Sequence, residues 1–82
     1  RFYKHLKGIP YLEVLPSEAN YFLCFIKAKY SATELSELLM DKFEIYIKDL
    51  TGKIGFEGQE CVRIAVRDEV DNDKLIDILK SL

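Results

Sequence analysis

The spacing of apolar residues changes period several times along the chain, and each change marks an element. From Asn20 to Lys29 the period is two, placing Tyr21, Leu23, Phe25 and Lys27 on one face and Phe22, Cys24, Ile26 and Ala28 on the other. Both faces are largely apolar, so this strand is expected to be covered on both sides. In SATELSELLMDKF the period becomes helical. Leu35, Leu38, Leu39 and Phe43 form one stripe, and Ser31 with Glu34 three residues on makes a capping-box signature. EIYIKDL returns to strand spacing, with Ile45 and Ile47 on one face and Glu44, Tyr46 and Lys48 on the other. CVRIAV repeats that spacing, with Val62, Ile64 and Val66 opposed to Cys61, Arg63 and Ala65. The chain closes on a helix begun by Asp68 or a neighbouring acid, whose buried side is Leu75, Ile76, Leu79 and Leu82.

The connections are marked as clearly. Gly8 ends a short helical run in RFYKHLKGI. Pro10 and Pro16 bracket an extended piece over Leu12 to Leu15, and Pro16-Ser17-Glu18 makes a turn. TGKIGFEGQE, with glycines at 52, 55 and 58, reads as a loop or wide hairpin connection. It is no phosphate-binding loop: it lacks the GxxxxGK[ST] pattern and leads into a strand, so no helix N-terminus waits for an anion. The expected fold is α+β, a mainly antiparallel sheet of three to four strands with helices packed on one face. Val62, Ile64, Ile45 and Ile47 would face the helices, while Arg63, Lys48, Tyr46 and the aromatic half of Asn20 to Lys29 take the other face.

Bulk composition narrows the classes. A chain of 82 residues makes one small domain, with about 60 to 65% of its unfolded surface buried. Mixed charges summing to −2 leave no basic block to follow a phosphate backbone, which argues against nucleic acid as a partner. No window approaches the roughly 20 apolar residues of a bilayer crossing, and the domain is expected to be cytoplasmic. Cys24 and Cys61 lie inside strands and His5 is the single histidine, so no metal-ligand spacing exists and both thiols are expected to be reduced core residues. The chain opens on Arg1 inside a helical run, so it is expected to be a fragment or a C-terminal domain of a longer protein.

A charge in the middle of a strand is costly when nothing answers it, which singles out Arg63. It could pair with a neighbouring acid or reach water from a strand end. Alternatively, its small neighbours Cys61 and Ala65 leave room for a planar anion accepting two parallel hydrogen bonds, making Arg63 a carboxylate receptor. If EIYIKDL pairs with CVRIAV, Lys48 projects from the same face and could help hold a doubly charged ligand; it could equally be an edge-strand lysine that discourages aggregation.

Four segments together resemble a known family: PSEANYFL, SATELSELL, EIYIKDL and CVRIAVRDEVDNDKLIDIL. They look like the C-terminal small domain of pyridoxal-phosphate enzymes of the aspartate aminotransferase fold, in particular the branch of histidinol-phosphate aminotransferases and threonine-phosphate decarboxylases. The likeness covers about residues 9 to 82, with residues 1 to 8 as the end of a connecting helix, and its most specific run is VRIAVRDEVDNDKLI, with Arg63 in the strand and Asn72 in the first helical turn. The resemblance implies that Arg63 binds the substrate α-carboxylate. It implies that Lys48 stands where this branch commonly has an arginine for the substrate's distal phosphate; lysine keeps the charge but loses the two-pronged geometry. Asn20 matches the residue opening the first long strand, in a structural role.

The same resemblance implies a missing upstream large domain, an amino-acid substrate and a homodimer. The Schiff-base lysine, the aspartate at the pyridinium nitrogen and the phosphate cradle have no match here, so the fragment alone is expected to bind no pyridoxal phosphate and to be catalytically inactive. A stand-alone ferredoxin-like module binding a small molecule or a partner strand is the alternative, and a structural tail that has lost its chemistry is a third reading.

Overall fold

A computed structural model describes residues 2–17, 19–53, 55 and 58–82. Arg1, Glu18 of the Pro16 turn, and Ile54, Phe56 and Glu57 of the glycine-rich connection lie outside the described residues. The element order is α1 (Phe2–Lys7), β1 (Leu12–Val14), β2 (Tyr21–Ile26), α2 (Ala32–Phe43), β3 (Lys48–Asp49), β4 (Cys61–Ala65) and α3 (Glu69–Ser81). The four strands form one sheet in the order β1-β2-β4-β3, with every neighbouring pair antiparallel. After α1 the connectivity is β-β-α-β-β-α, which differs from the β-α-β-β-α-β of a ferredoxin-like module.

Phe22, Cys24 and Ile26 from β2 and Val62 and Ile64 from β4 are buried on one sheet face, in a core shared with Leu6 of α1, Leu35 and Leu39 of α2, and Leu75 and Leu79 of α3. Phe2 and Tyr3 of α1 close over Phe22, with ring centroids 6.1 and 5.3 Å away. Both cysteines are free and buried, Cys24 on the helix-covered face and Cys61 on the opposite one. The helices are tied at their ends. Ser31 and Glu34 form the reciprocal capping box on α2, and Glu60 accepts from the Ala32 amide at 2.7 Å. Asp68 caps α3 through the Asp71 amide at 2.8 Å.

The third strand departs from expectation. EIYIKDL is strand only at Lys48 and Asp49, with the Leu50 amide bonded to the Cys61 carbonyl at 3.0 Å just beyond it, because Glu44 takes a left-handed conformation (φ 56°) to close α2 and its amide returns to carbonyls in the last turn of that helix. Ile47 still drops into the core, while Tyr46, expected on the open sheet face, stands outside any strand with 68% of its surface exposed. Among the described residues no helix is long and apolar enough to cross a membrane.

Candidate substrate-carboxylate site

Strand β4 lies between β2 and β3, so Arg63 has a neighbour on each side: Leu23 and Lys48 stand directly opposite it. Residues opposed in antiparallel strands share a sheet face. Arg63, Lys48 and Leu23 therefore make one row on the face turned away from the helices. The next row is Tyr21 with Ala65, and the row on the other side is Phe25 with Cys61.

Arg63 is exposed, and its guanidinium carbon sits over the Tyr21 ring, 5.0 Å from the centroid, within the range of a cation–π attraction. Other cations nearby have acids: Lys27 meets Glu13 at 2.7 Å and Arg67 meets Asp71 at 3.8 Å. Among the described residues no carboxylate lies within ion-pair distance of Arg63 or Lys48. Two like charges are thus set side by side on one face with no counter-ion among the described residues, an arrangement that suits an external anion. The structure brings together the two residues singled out in the sequence. It removes the first of the two mundane readings of Arg63, an internal salt bridge, among the described residues.

The turn after β4 shows what Asn72 does for the strand that carries the arginine. Asn72 is buried, and its side-chain amide accepts from the Arg67 N–H at 2.9 Å and donates to the Arg67 carbonyl at 3.0 Å. One side chain thereby satisfies both polar groups of a residue leaving the sheet. The Val66 amide donates to the Asn20 carbonyl at 2.7 Å, locking the end of β4 to the start of β2. That lock sets Tyr21 opposite Ala65 and hence beside Arg63. Tyr21 was legible as a residue of the open face but not as the partner of Arg63; its place two residues from Leu23, on the same face, was the signal available.

The chain matches the family model for aminotransferase class I and II over residues 1–79. The chain belongs to the class I and II aminotransferase family. It is 35% identical over 82 residues to the L-serine phosphate decarboxylase of Sulfurospirillum multivorans, covering all of this chain and 21% of the relative. It is 31% identical over 81 residues to the histidinol-phosphate aminotransferase of Methanosphaera stadtmanae, covering 98% of this chain and 22% of the relative. Among solved structures, the L-threonine-O-3-phosphate decarboxylase of Porphyromonas gingivalis superimposes with a TM-score of 0.88 at 28% identity, covering 98% of this chain and 24% of that one. The histidinol-phosphate aminotransferase of Clostridium acetobutylicum also gives 0.88, at 30% identity, covering 99% and 24%.

The chain thus spans about a fifth of the length of the curated relatives it matches, and corresponds to their C-terminal part. Full-length enzymes of this family are dependent on pyridoxal phosphate. The open face does not fit that cofactor. It would need a desolvated lysine for the aldehyde and an acid for the ring nitrogen. Lys48 instead faces another cation, and Glu13 on the same face is engaged by Lys27. No cofactor chemistry is assigned to these residues.

Proposed function

We propose that this aminotransferase-family chain is the C-terminal small domain of a cytoplasmic pyridoxal-phosphate enzyme, an aminotransferase or a related decarboxylase. It closes over a cofactor held by the large domain and binds the substrate α-carboxylate through Arg63. The observation that carries this reading is the open sheet face: an exposed guanidinium, cation beside it, and no carboxylate partner among the described residues. A planar guanidinium can give a carboxylate two parallel hydrogen bonds, fixing its orientation as well as its position. Closing the domain would exclude water and strengthen that pair.

Lys48, on the neighbouring strand, supplies a second positive charge for a distal anion. The names of the relatives, L-serine phosphate decarboxylase, histidinol-phosphate aminotransferase and L-threonine-O-3-phosphate decarboxylase, support a phosphorylated amino acid or amine as the substrate class. The partners in the assembled enzyme are the cofactor-bearing large domain and a second subunit.

The test is Arg63→Ala in the full-length enzyme. Removing one member of a desolvated charge pair costs about 2 to 5 kcal/mol, so KM for the carboxylate substrate should rise by at least about thirtyfold. The absorbance of the bound cofactor should stay as in the parent enzyme. An unaltered KM would remove Arg63 from substrate binding; a lost cofactor band would make its role structural.

A further inference from the structure

Resting on that reading, we propose that Tyr21 is a positioning residue for Arg63, its ring acting as a platform that holds the guanidinium over the open face while leaving its N–H donors for the substrate. An arginine projecting from a sheet has many rotamers, and binding through it is weakened by whatever freedom it must surrender. Proteins commonly restrain such a side chain with an internal carboxylate. That solution would consume the donors needed for the ligand. An aromatic face attracts the cation through its quadrupole and accepts no particular N–H, so the side chain is held and its donors stay available.

Four features of the fold support this role. The Arg63 guanidinium carbon is 5.0 Å from the Tyr21 centroid. Among the described residues no acid competes for Arg63. Ala65, directly opposite Tyr21 and two residues along β4 from Arg63, has only a methyl group, so nothing bulky separates ring from cation. The Val66 amide's bond to Asn20 fixes the register one residue before the ring. Tyr21 itself keeps 36% of its surface exposed, so on this chain it is a platform on the open face and no part of the core.

The hydroxyl plays no part in this contact, which gives the experiment its shape. In the full-length enzyme, Tyr21→Leu should raise KM for the carboxylate substrate about three- to thirtyfold, the range of cation–π contacts from exposed to desolvated, and more than it lowers kcat. Tyr21→Phe keeps the ring and should recover most of that loss. Replacing Tyr21 by progressively fluorinated phenylalanines, which drains the ring face of negative charge at little change in shape, should raise KM step by step. In an Arg63→Ala background, Tyr21→Leu should add almost nothing.

Equal KM values for the leucine and phenylalanine variants, or a fluorination series with no trend, would overturn the platform while leaving the carboxylate assignment of Arg63 standing. Additive losses in the double variant would mean that Tyr21 acts independently of Arg63, and would overturn it too. A parent-like KM in Arg63→Ala alone removes the carboxylate reading and the platform with it.

Discussion

The two faces of the sheet are built on opposite principles. Toward the helices, Phe22, Cys24, Ile26, Val62 and Ile64 are buried to 8% exposure or less, in a layer closed by Leu6, Leu35, Leu39, Leu75 and Leu79. Away from the helices, Leu23 and Phe25 are half-buried, Tyr21 and Ala65 exposed, and Arg63 and Lys48 stand side by side. The first face follows from the hydrophobic effect alone: any apolar residues of suitable volume would be driven there. The second carries a cost, since paired like charges across strands destabilise a sheet. A feature retained against stability is where function should be sought, and here it lies on the face that the chain's own helices leave open.

The largest expected effect belongs to the closed face. Leu39, fully buried in the middle of α2, leaves a cavity when cut back to alanine; Leu39→Ala should cost about 2 to 5 kcal/mol and lower the melting temperature by roughly 10 °C or more. Arg63→Ala should shift unfolding by less than about 0.5 kcal/mol, as expected of an exposed side chain with no ion-pair partner among the described residues, whose lost contact with Tyr21 is offset by relief of the repulsion from Lys48. Thermal and denaturant unfolding of the two variants tests the contrast directly. Comparable losses would mean that Arg63 is part of the scaffold and that the faces do not divide stability from binding.

How far that division could be read in the sequence depended on what fixed each element. Alternation located β2 and β4 and put Arg63 on the open face, because a period of two admits no other arrangement once Val62 and Ile64 are buried. The helical stripes gave α2 and α3, with Ser31 and Asp68 as their caps. EIYIKDL failed as a long strand because its first residue was needed to end α2 in a left-handed turn, a choice made by the helix end and invisible in strand periodicity. The contact of Tyr21 with Arg63 was hidden for another reason. Face could be assigned from spacing, but diagonal neighbours across two strands depend on register, and register depends on the backbone bond between Val66 and Asn20.

A middle-sized effect comes from pH and again concerns the closed face. Burial pushes the Cys24 thiol up to about 12, aided by Cys61 nearby. Burial, with a contribution from Tyr30, also pushes Tyr11 up to about 12, and its hydroxyl donates to the Leu79 carbonyl at 2.6 Å. In both groups the fold favours the neutral form and the unfolded chain ionises first. Their stabilisation is therefore complete below about pH 9 and is lost as pH rises from there through 12. Denaturant midpoints should be level from pH 7 to 9 and then fall. Cys24→Ala should be less stable at neutral pH and show a shallower alkaline decline; a decline as steep as the parent's would place the titrating group elsewhere.

The smallest effect falls on the open face and bears most directly on why two cations stand there. Lys48 and Arg63 are directly opposed across β3 and β4, so their repulsion is a standing cost of a few tenths to about 1 kcal/mol. Lys48→Glu should replace that repulsion with attraction and make the chain slightly more stable at low salt, with the gain shrinking as salt screens both terms. Lys48→Gln, removing only the repulsion, should fall between. In the full-length enzyme the ranking should invert for a phosphorylated substrate, with the more stable Lys48→Glu binding it least well and Lys48→Gln again intermediate. Should stability and affinity instead move together along this series, the charges on the open face would not be held at the expense of the fold, and Lys48 would revert to an edge-strand lysine with no ligand to meet.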